Sequence, residues 1–253
     1  MTLLVEAPPG RHFAQFHRDS TALTESAFVF LEAGLRSSNT LLVVAPAARV
    51  DQLFDRLASG RFHPQSLIDS GQLAVIDSTP IIEQLVSNGS SAWARFRGVL
   101  SPALARLRPF GRATRIYTEI ANVLWEAGET DAAIRLEDLW NTLAGAHSFS
   151  LFCGYTMDTQ CENSYAGPLE ELGRTHSDIL GTHEDEQFGA ALDRASRELF
   201  GISLAQMAGG ARQDGSLRFP SGQRTMLWVK RHLPMSTAQL AERARLYLRA
   251  ARS

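Results

Sequence analysis

The chain has 253 residues, 44% of them hydrophobic and 21% charged, with a net charge of −2. That balance excludes a disordered chain and gives no global attraction to nucleic acid or to a membrane surface. The length suits one large α/β domain, or one domain with an appendage.

Two cysteines, Cys153 and Cys161, make no disulfide framework. No apolar run approaches the roughly 20 residues that cross a bilayer, and MTLLVEAPPGRH lacks the basic start and long apolar core of a signal peptide. A cytoplasmic protein is expected. Charge is unevenly spread. From Ile202 onward nine Lys and Arg face two acidic residues, about +7 against about −9 for the preceding part.

Residues 1–10 read as a loose lead-in broken by Pro8, Pro9 and Gly10. His12 to His17 alternates as a first strand would. Ser20 or Thr21 can cap a helix through Phe28 and Leu31 that ends at Gly34. Leu41 to Ala45 is a buried parallel strand by composition, stopped by Pro46. Val50, Leu53, Phe54 and Leu57 form the apolar face of the next helix, closed by Gly60. Leu73 to Asp77 is a third strand, and Ile81, Ile82 and Leu85 mark a short helix. Trp93, Phe96, Val99 and Leu100 start another, interrupted or kinked at Pro102 and ending near Pro109.

Thr114 to Tyr117 favours an extended segment. Ile120, Val123 and Leu124 follow at helical spacing, with Gly128 as the stop and Thr130 as a cap for the next helix. In that helix Leu136, Leu139, Trp140 and Leu143 share one stripe. Phe149 to Tyr155 is a short apolar strand. Strand, helix, helix, strand is a crossover unit of a parallel sheet.

Beyond Tyr155 the pattern changes. Residues 156–183 read as irregular, and Glu184 to Phe200 as an amphipathic helix. Gly201, Gly209 and Gly210 mark a hinge or linker. Arg224 to Val229 reads as a strand, and Ser236 caps a final helix through Leu248. This implies a main body over residues 10–201 and a basic C-terminal strand–helix extension over 202–253. The apolar strand in that extension is expected to join a sheet edge of its own chain, or to pair across a dimer.

LEDLWNTL followed by FSLFCGY, with RIYTEIANVLWEAG before them, resembles the MEDS domain, a sensory domain typified by the dichloromethane-responsive regulator. HFAQFHRDSTAL, FLEAGLRSSNTLLVVAP and SGQLAVIDS agree in the same order, so the resemblance covers about residues 10–157 and fades after Tyr165. It implies a RecA/KaiC-like α/β fold, a mostly parallel sheet with helices on both faces, carrying a ligand-sensing site without a working phosphate loop.

The residues agree on that last point. A phosphate loop needs a glycine-rich turn followed by Lys and Ser or Thr. No GxxxxGK(S/T) occurs, FHRDSTAL has neither glycine nor lysine, and the only lysine is Lys230. Nor is there a GxSxG nucleophile elbow.

In open α/β sheets ligands sit beyond the carboxyl ends of the strands, where His17, Asp77, Glu119, Cys153 and Tyr155 fall. The resemblance adds His12, the family's histidine on the first strand. It also places Glu119 in a motif usually reading Gly-Glu-Met, here Thr118-Glu119-Ile120, and His17 where an aromatic is usual. His12, His17, Glu119, Cys153 and Tyr155 are therefore the expected ligand-binding set, and four of them (His12, Glu119, Cys153 and Tyr155) are expected at one cavity.

Each has a plainer reading. Cys153 suits core packing, and a buried Glu119 needs a partner such as Arg115 or a histidine. Both histidines can be satisfied core groups. Glu137, Trp140 and Asn141 match the family helix, but a helix stripe and its contacts explain them. No HxxxH or CxxC pair anchors a metal, so neither metal nor cofactor is expected. The basic final helix suits a solvated face or an acidic partner better than nucleic acid.

The reading is a non-catalytic signal-transduction sensor. It would bind a small, apolar or weakly polar, hydrocarbon-derived molecule and act through a partner such as a kinase or transcription regulator, with homodimerisation open. A RecA-like nucleotide-binding protein or ATPase-derived enzyme, and a ligand-free interaction module, are the alternatives.

Overall fold

The computed structural model describes residues 2–87, 90–107, 113–210 and 219–252. Among them, β1 (His12–His17), β2 (Thr40–Ala45), β3 (Leu73–Asp77), β4 (Thr114–Thr118), β5 (Phe149–Thr156) and β6 (Asp178–Leu180) form one parallel sheet. Its order is β3-β2-β4-β5-β1-β6. The fold is α/β, as expected. Contacts group the chain into two compact units: Met1–Ala14 with Ser20–Tyr155, and Gln15–Asp19 with Thr156–Ser253.

In the first unit β2 is an interior strand, buried along its whole length, which is why TLLVVA carries no alternation. Leu42 pairs with Ala74 of β3 on one side and Ile116 of β4 on the other. β4 pairs in turn with β5, Ile116 opposite Leu151, and Leu151 N donates to Arg11 O at the start of β1. The helices of this unit are α1 (Thr2–Glu6), α2 (Ser20–Arg36), α3 (Ala47–Ser59), α4 (Pro64–Asp69), α5 (Thr79–Ser87), α6 (Ser90–Leu107), α7 (Ile120–Glu126) and α8 (Thr130–Ala146).

Three local expectations are corrected here. The lead-in is helical at α1, because Leu4 is buried and Arg115 donates to the carbonyls of Leu4, Val5 and Phe30. Arg115 also reaches Asn39 Oδ1, so its buried charge is satisfied by dipoles rather than by a carboxylate. Gly34 does not stop α2. A Cβ there would lie 2.8 Å from both Arg115 Cδ and Leu41 Cδ2, so it is glycine for close approach, and Ser38 at φ 55° turns the chain instead. α4 escapes periodicity because it buries no residue. Thr130 is the first residue of α8 rather than its cap. Gly128, at φ 81°, ends α7 as expected, and α6 runs through Pro102. Pro109 and the Trp93 side chain lie outside the described residues.

The second unit is helical around the end of β1 and the short β6. Residues 156–183, expected to be irregular, hold a 3-10 turn at Glu162–Tyr165, α9 (Leu169–Thr175) and β6. Buried Tyr165, Leu169 and Leu172 anchor them. α10 (His183–Phe200) opens on a capping box between Thr182 and Asp185 and closes on Gly201 at φ 73°. Gly209 and Gly210, read as a linker, are the last turn of α11 (Leu204–Gly210).

The expected strand Arg224–Val229 is a helix, α12 (Ser221–His232). No strand occurs among the described residues of 202–253, so the sheet-edge role falls with it. Gln223, Met226 and Val229 are fully buried at helical spacing, and Trp228 stacks on His232 one turn later at 4.5 Å. The short β-favouring run is overridden by that packing. Close approach also fixes it. Gly222 lies against Gly189 of α10, where a Cβ would meet backbone at 3.0 Å. Ser236 belongs to a 3-10 turn, and α13 runs Thr237–Arg252. α13 packs on α10, with Arg243 on Glu198 and Arg194 3.9 Å over the Tyr247 ring.

Candidate functional site

Strand alternation and one helical turn build the main polar cluster. On β5, Phe149, Cys153 and Tyr155 point to the face covered by α8. On α8, Glu137, Trp140 and Asn141 stand three and four residues apart and turn toward the sheet. Trp140 packs edge-on against Phe149 at 6.3 Å and Phe96 at 5.9 Å, which sets the helix against the strand. His12, on β1, completes the group.

The distances are short. His12 Nδ1 lies 2.9 Å from Asn141 Oδ1, and Nε2 lies 3.2 Å from Cys153 Sγ and 3.1 Å from Glu137 Oε2. The Cys153 thiol donates to Glu137 Oε2 at 3.4 Å. The Tyr155 hydroxyl donates to the other oxygen, Oε1. Glu137 and Tyr155 have no exposed surface and Cys153 almost none. Burial, then the Glu137 charge, pushes the Cys153 thiol well above its ordinary value. The same two causes, in that order, raise the Tyr155 phenol. Both groups are neutral donors to a carboxylate sunk in the core.

Glu119 lies elsewhere. Tyr117 pairs with Phe152 and Thr118 with Cys153, so Tyr117 and Cys153 point to opposite faces. The Tyr117 and Phe152 rings meet at 5.5 Å, and Phe152 meets Phe30 of α2 at 5.5 Å. The Tyr117 hydroxyl donates to Glu119 Oε1 at 2.6 Å, drawing Glu119 to the α2 face. Arg49 Nε is 2.7 Å from the same oxygen. Arg49, rather than Arg115 or a histidine, is thus the ionic partner, and its NH1 is fixed by Thr24 Oγ1 at 2.6 Å and Gln52 Oε1 at 2.7 Å. Burial raises the Glu119 carboxyl despite the opposing Arg49 charge.

Of the expected set, the structure brings His12, Cys153 and Tyr155 together and puts Glu119 across the sheet from them. The single cavity expected for those three and Glu119 is corrected accordingly. His17, in the second unit, has Nε2 3.2 Å from Gln15 Oε1. Burial lowers it to about 4, although Asp185 and Asp19 pull the other way. Asp77 is an exposed cap, accepting from Thr79 N at 2.9 Å.

Sequence reasoning passed over Glu137 and Asn141 as helix furniture. For Glu137 the signal was present: a carboxylate sits inside the buried stripe of Leu136 and Trp140, whereas Asn141 is exposed at its edge. Where a RecA-like ATPase would place its phosphate loop, β1 passes to α2 through Arg18 and Asp19 alone. Two residues are too few to surround phosphates with amides.

The model of the MEDS family, the methanogen/methylotroph, DcmR sensory domain, matches residues 11–177. The chain belongs to the MEDS family. The match takes in every residue of both buried clusters and reaches past the first unit into α9. No curated protein matches the sequence. Among the described residues of this MEDS protein, no helix is long and apolar enough to cross a membrane.

Proposed function

We propose that this MEDS protein is a non-catalytic cytoplasmic sensor. A small, weakly polar, hydrocarbon-derived molecule binds at the α8 face, and the response passes to a signalling partner, a kinase or a transcription regulator. Ligand binding shifts the balance of two conformations by its differential affinity for them. The observation that carries the reading is the cluster of His12, Cys153, Tyr155 and Glu137, buried within a domain whose family is sensory. Groups of this kind are costly to bury and contribute less to stability than an apolar core of the same shape. Their presence is accounted for if they read a ligand.

In this reading His12, Cys153 and Tyr155 face the ligand. Glu119 is a buried ion pair on the other face, and His17 a neutral core histidine. The test is thermal denaturation and calorimetry of the full-length protein with dichloromethane, methanol and their two- to four-carbon congeners. A ligand at a hundred times its Kd stabilises the folded state by about 2.7 kcal/mol. Tyr155→Phe, which keeps the ring and removes the hydroxyl, should weaken that response. No stabilisation across the panel, with measurable ATP turnover, would instead support the nucleotide-handling alternative.

A further inference from the structure

We propose that His12 Nε2, Glu137 Oε2 and Cys153 Sγ form a binding site for a divalent first-row transition ion of the zinc class. The three donor atoms are separated by 3.1, 3.2 and 3.4 Å, and the three residues fall in one compact group of metal-ligating types. For a triangle with these edges the centre lies about 1.9 Å from each atom. An ion raised about 1 Å out of that plane reaches the about 2.0–2.3 Å typical of zinc bonds to N, O and S. Displacement to one side of the ligand plane is what a tetrahedral ion requires. The mixed nitrogen, sulfur and oxygen set disfavours magnesium and calcium, which take oxygen.

The outer contacts point the same way. Asn141 Oδ1 stands 2.9 Å from His12 Nδ1, an acceptor for the tautomer with its proton on Nδ1, in which Nε2 offers its lone pair to the triangle. Tyr155 holds the far carboxylate oxygen and aims the near one inward. Metal-bound histidines and carboxylates are oriented by such second contacts. Charge closes as well. A divalent ion with one thiolate and one carboxylate is neutral overall, so the buried carboxylate is compensated. The thiol proton leaves to solvent as the sulfur–metal bond forms.

The competing arrangement is a purely hydrogen-bonded one, with a doubly protonated His12 paired to Glu137. The two differ in metal content and in sulfur ligation. The proposal rests on the three donor atoms, not on the sensor reading, and its test needs no hydrocarbon ligand. Full-length protein purified without chelator should carry about one equivalent of transition metal by elemental mass spectrometry. The same protein, unfolded with chelator and refolded with Co(II), should show a sulfur-to-cobalt charge-transfer band with tetrahedral d–d absorption. Cys153→Ser should abolish that band, with folding checked by circular dichroism. His12→Gln should lower the metal content at least tenfold. Where either variant fails to fold, the wild-type cobalt spectrum decides alone. Wild-type protein with less than a tenth of an equivalent of any transition metal and no cobalt–sulfur band overturns the proposal. So does a band that survives Cys153→Ser.

Discussion

Acid should unfold the second unit through His17. Its folded-state value is lowered from the ordinary 6.5 to about 4, chiefly by burial, with Asp185 and Asp19 opposing. A histidine whose folded value is depressed binds protons more readily when unfolded. Its contribution to stability is therefore complete above pH 6.5 and is lost as pH falls toward 4. Each tenfold change in proton affinity is worth about 1.4 kcal/mol, so the full loss is about 3 kcal/mol, and about 2.5 kcal/mol of it is gone by pH 4.5. His17 is only 6% exposed, so little solvent screening needs to be discounted. The assay is urea denaturation at pH 7.5 and 4.5, followed by the fluorescence of Trp228 in a protein whose other tryptophans are changed to Phe. His17→Gln cannot take up the proton and should flatten that dependence by about the same 2.5 kcal/mol. Equal losses in the parent and in His17→Gln would refute the assignment, and would trace acid sensitivity to other groups.

Two further outcomes follow from the first unit. Arg49→Leu should destabilise by about 3–5 kcal/mol at neutral pH, because it strands the buried Glu119 charge. Glu119 already sits above its ordinary value, so that penalty should shrink as pH falls and the carboxyl takes up its proton; denaturation midpoints independent of pH would rule this out. Trp140→Ala removes a side chain with no exposed surface from between Phe96 and Phe149 and should cost about 3–5 kcal/mol. An unmoved midpoint would show that the edge-on contacts do not hold α8 in place.

The sheet was legible because its strands are chemically monotonous. LLVVA, TRIYT and SLFCGY announce burial on both faces and have it, while LAVID, expected to be buried likewise, is the half-buried edge strand; short polar turns separate them from helices of clear period. The tail was not. Arg224–Val229 is six residues of strand-favouring composition, and only Gly222 against Gly189 and the buried Gln223, Met226 and Val229 make it a helix. Those contacts come from residues more than thirty positions away, which no local window holds. The site divides the same way. His12, Cys153 and Tyr155 could be singled out by type and by family. Which residues they meet depended on β1 pairing beside β5 and on the rotation of α8. That rotation sends Glu137 inward and leaves Asp138 in solvent, although one position separates them.

Two carboxylates are buried in this unit, on opposite faces of one sheet, and they are compensated by different means. Glu119 has a full ionic partner, and that partner is itself held by Thr24 and Gln52. Such a pair balances charge within the protein. Glu137 accepts from Tyr155 and Cys153, both driven further toward their neutral forms by the burial they share with it, and His12 Nε2 lies 3.1 Å from its Oε2. Neutral donors solvate a charge without cancelling it. On the α2 face a guanidinium meets the carboxylate, whereas on the α8 face neutral donors and an imidazole surround it, and that is where the cation is proposed. That asymmetry is the physical reason for placing both the ligand site and the metal on the side of α8. It follows from which face each strand residue occupies, not from the number of polar groups buried on either side.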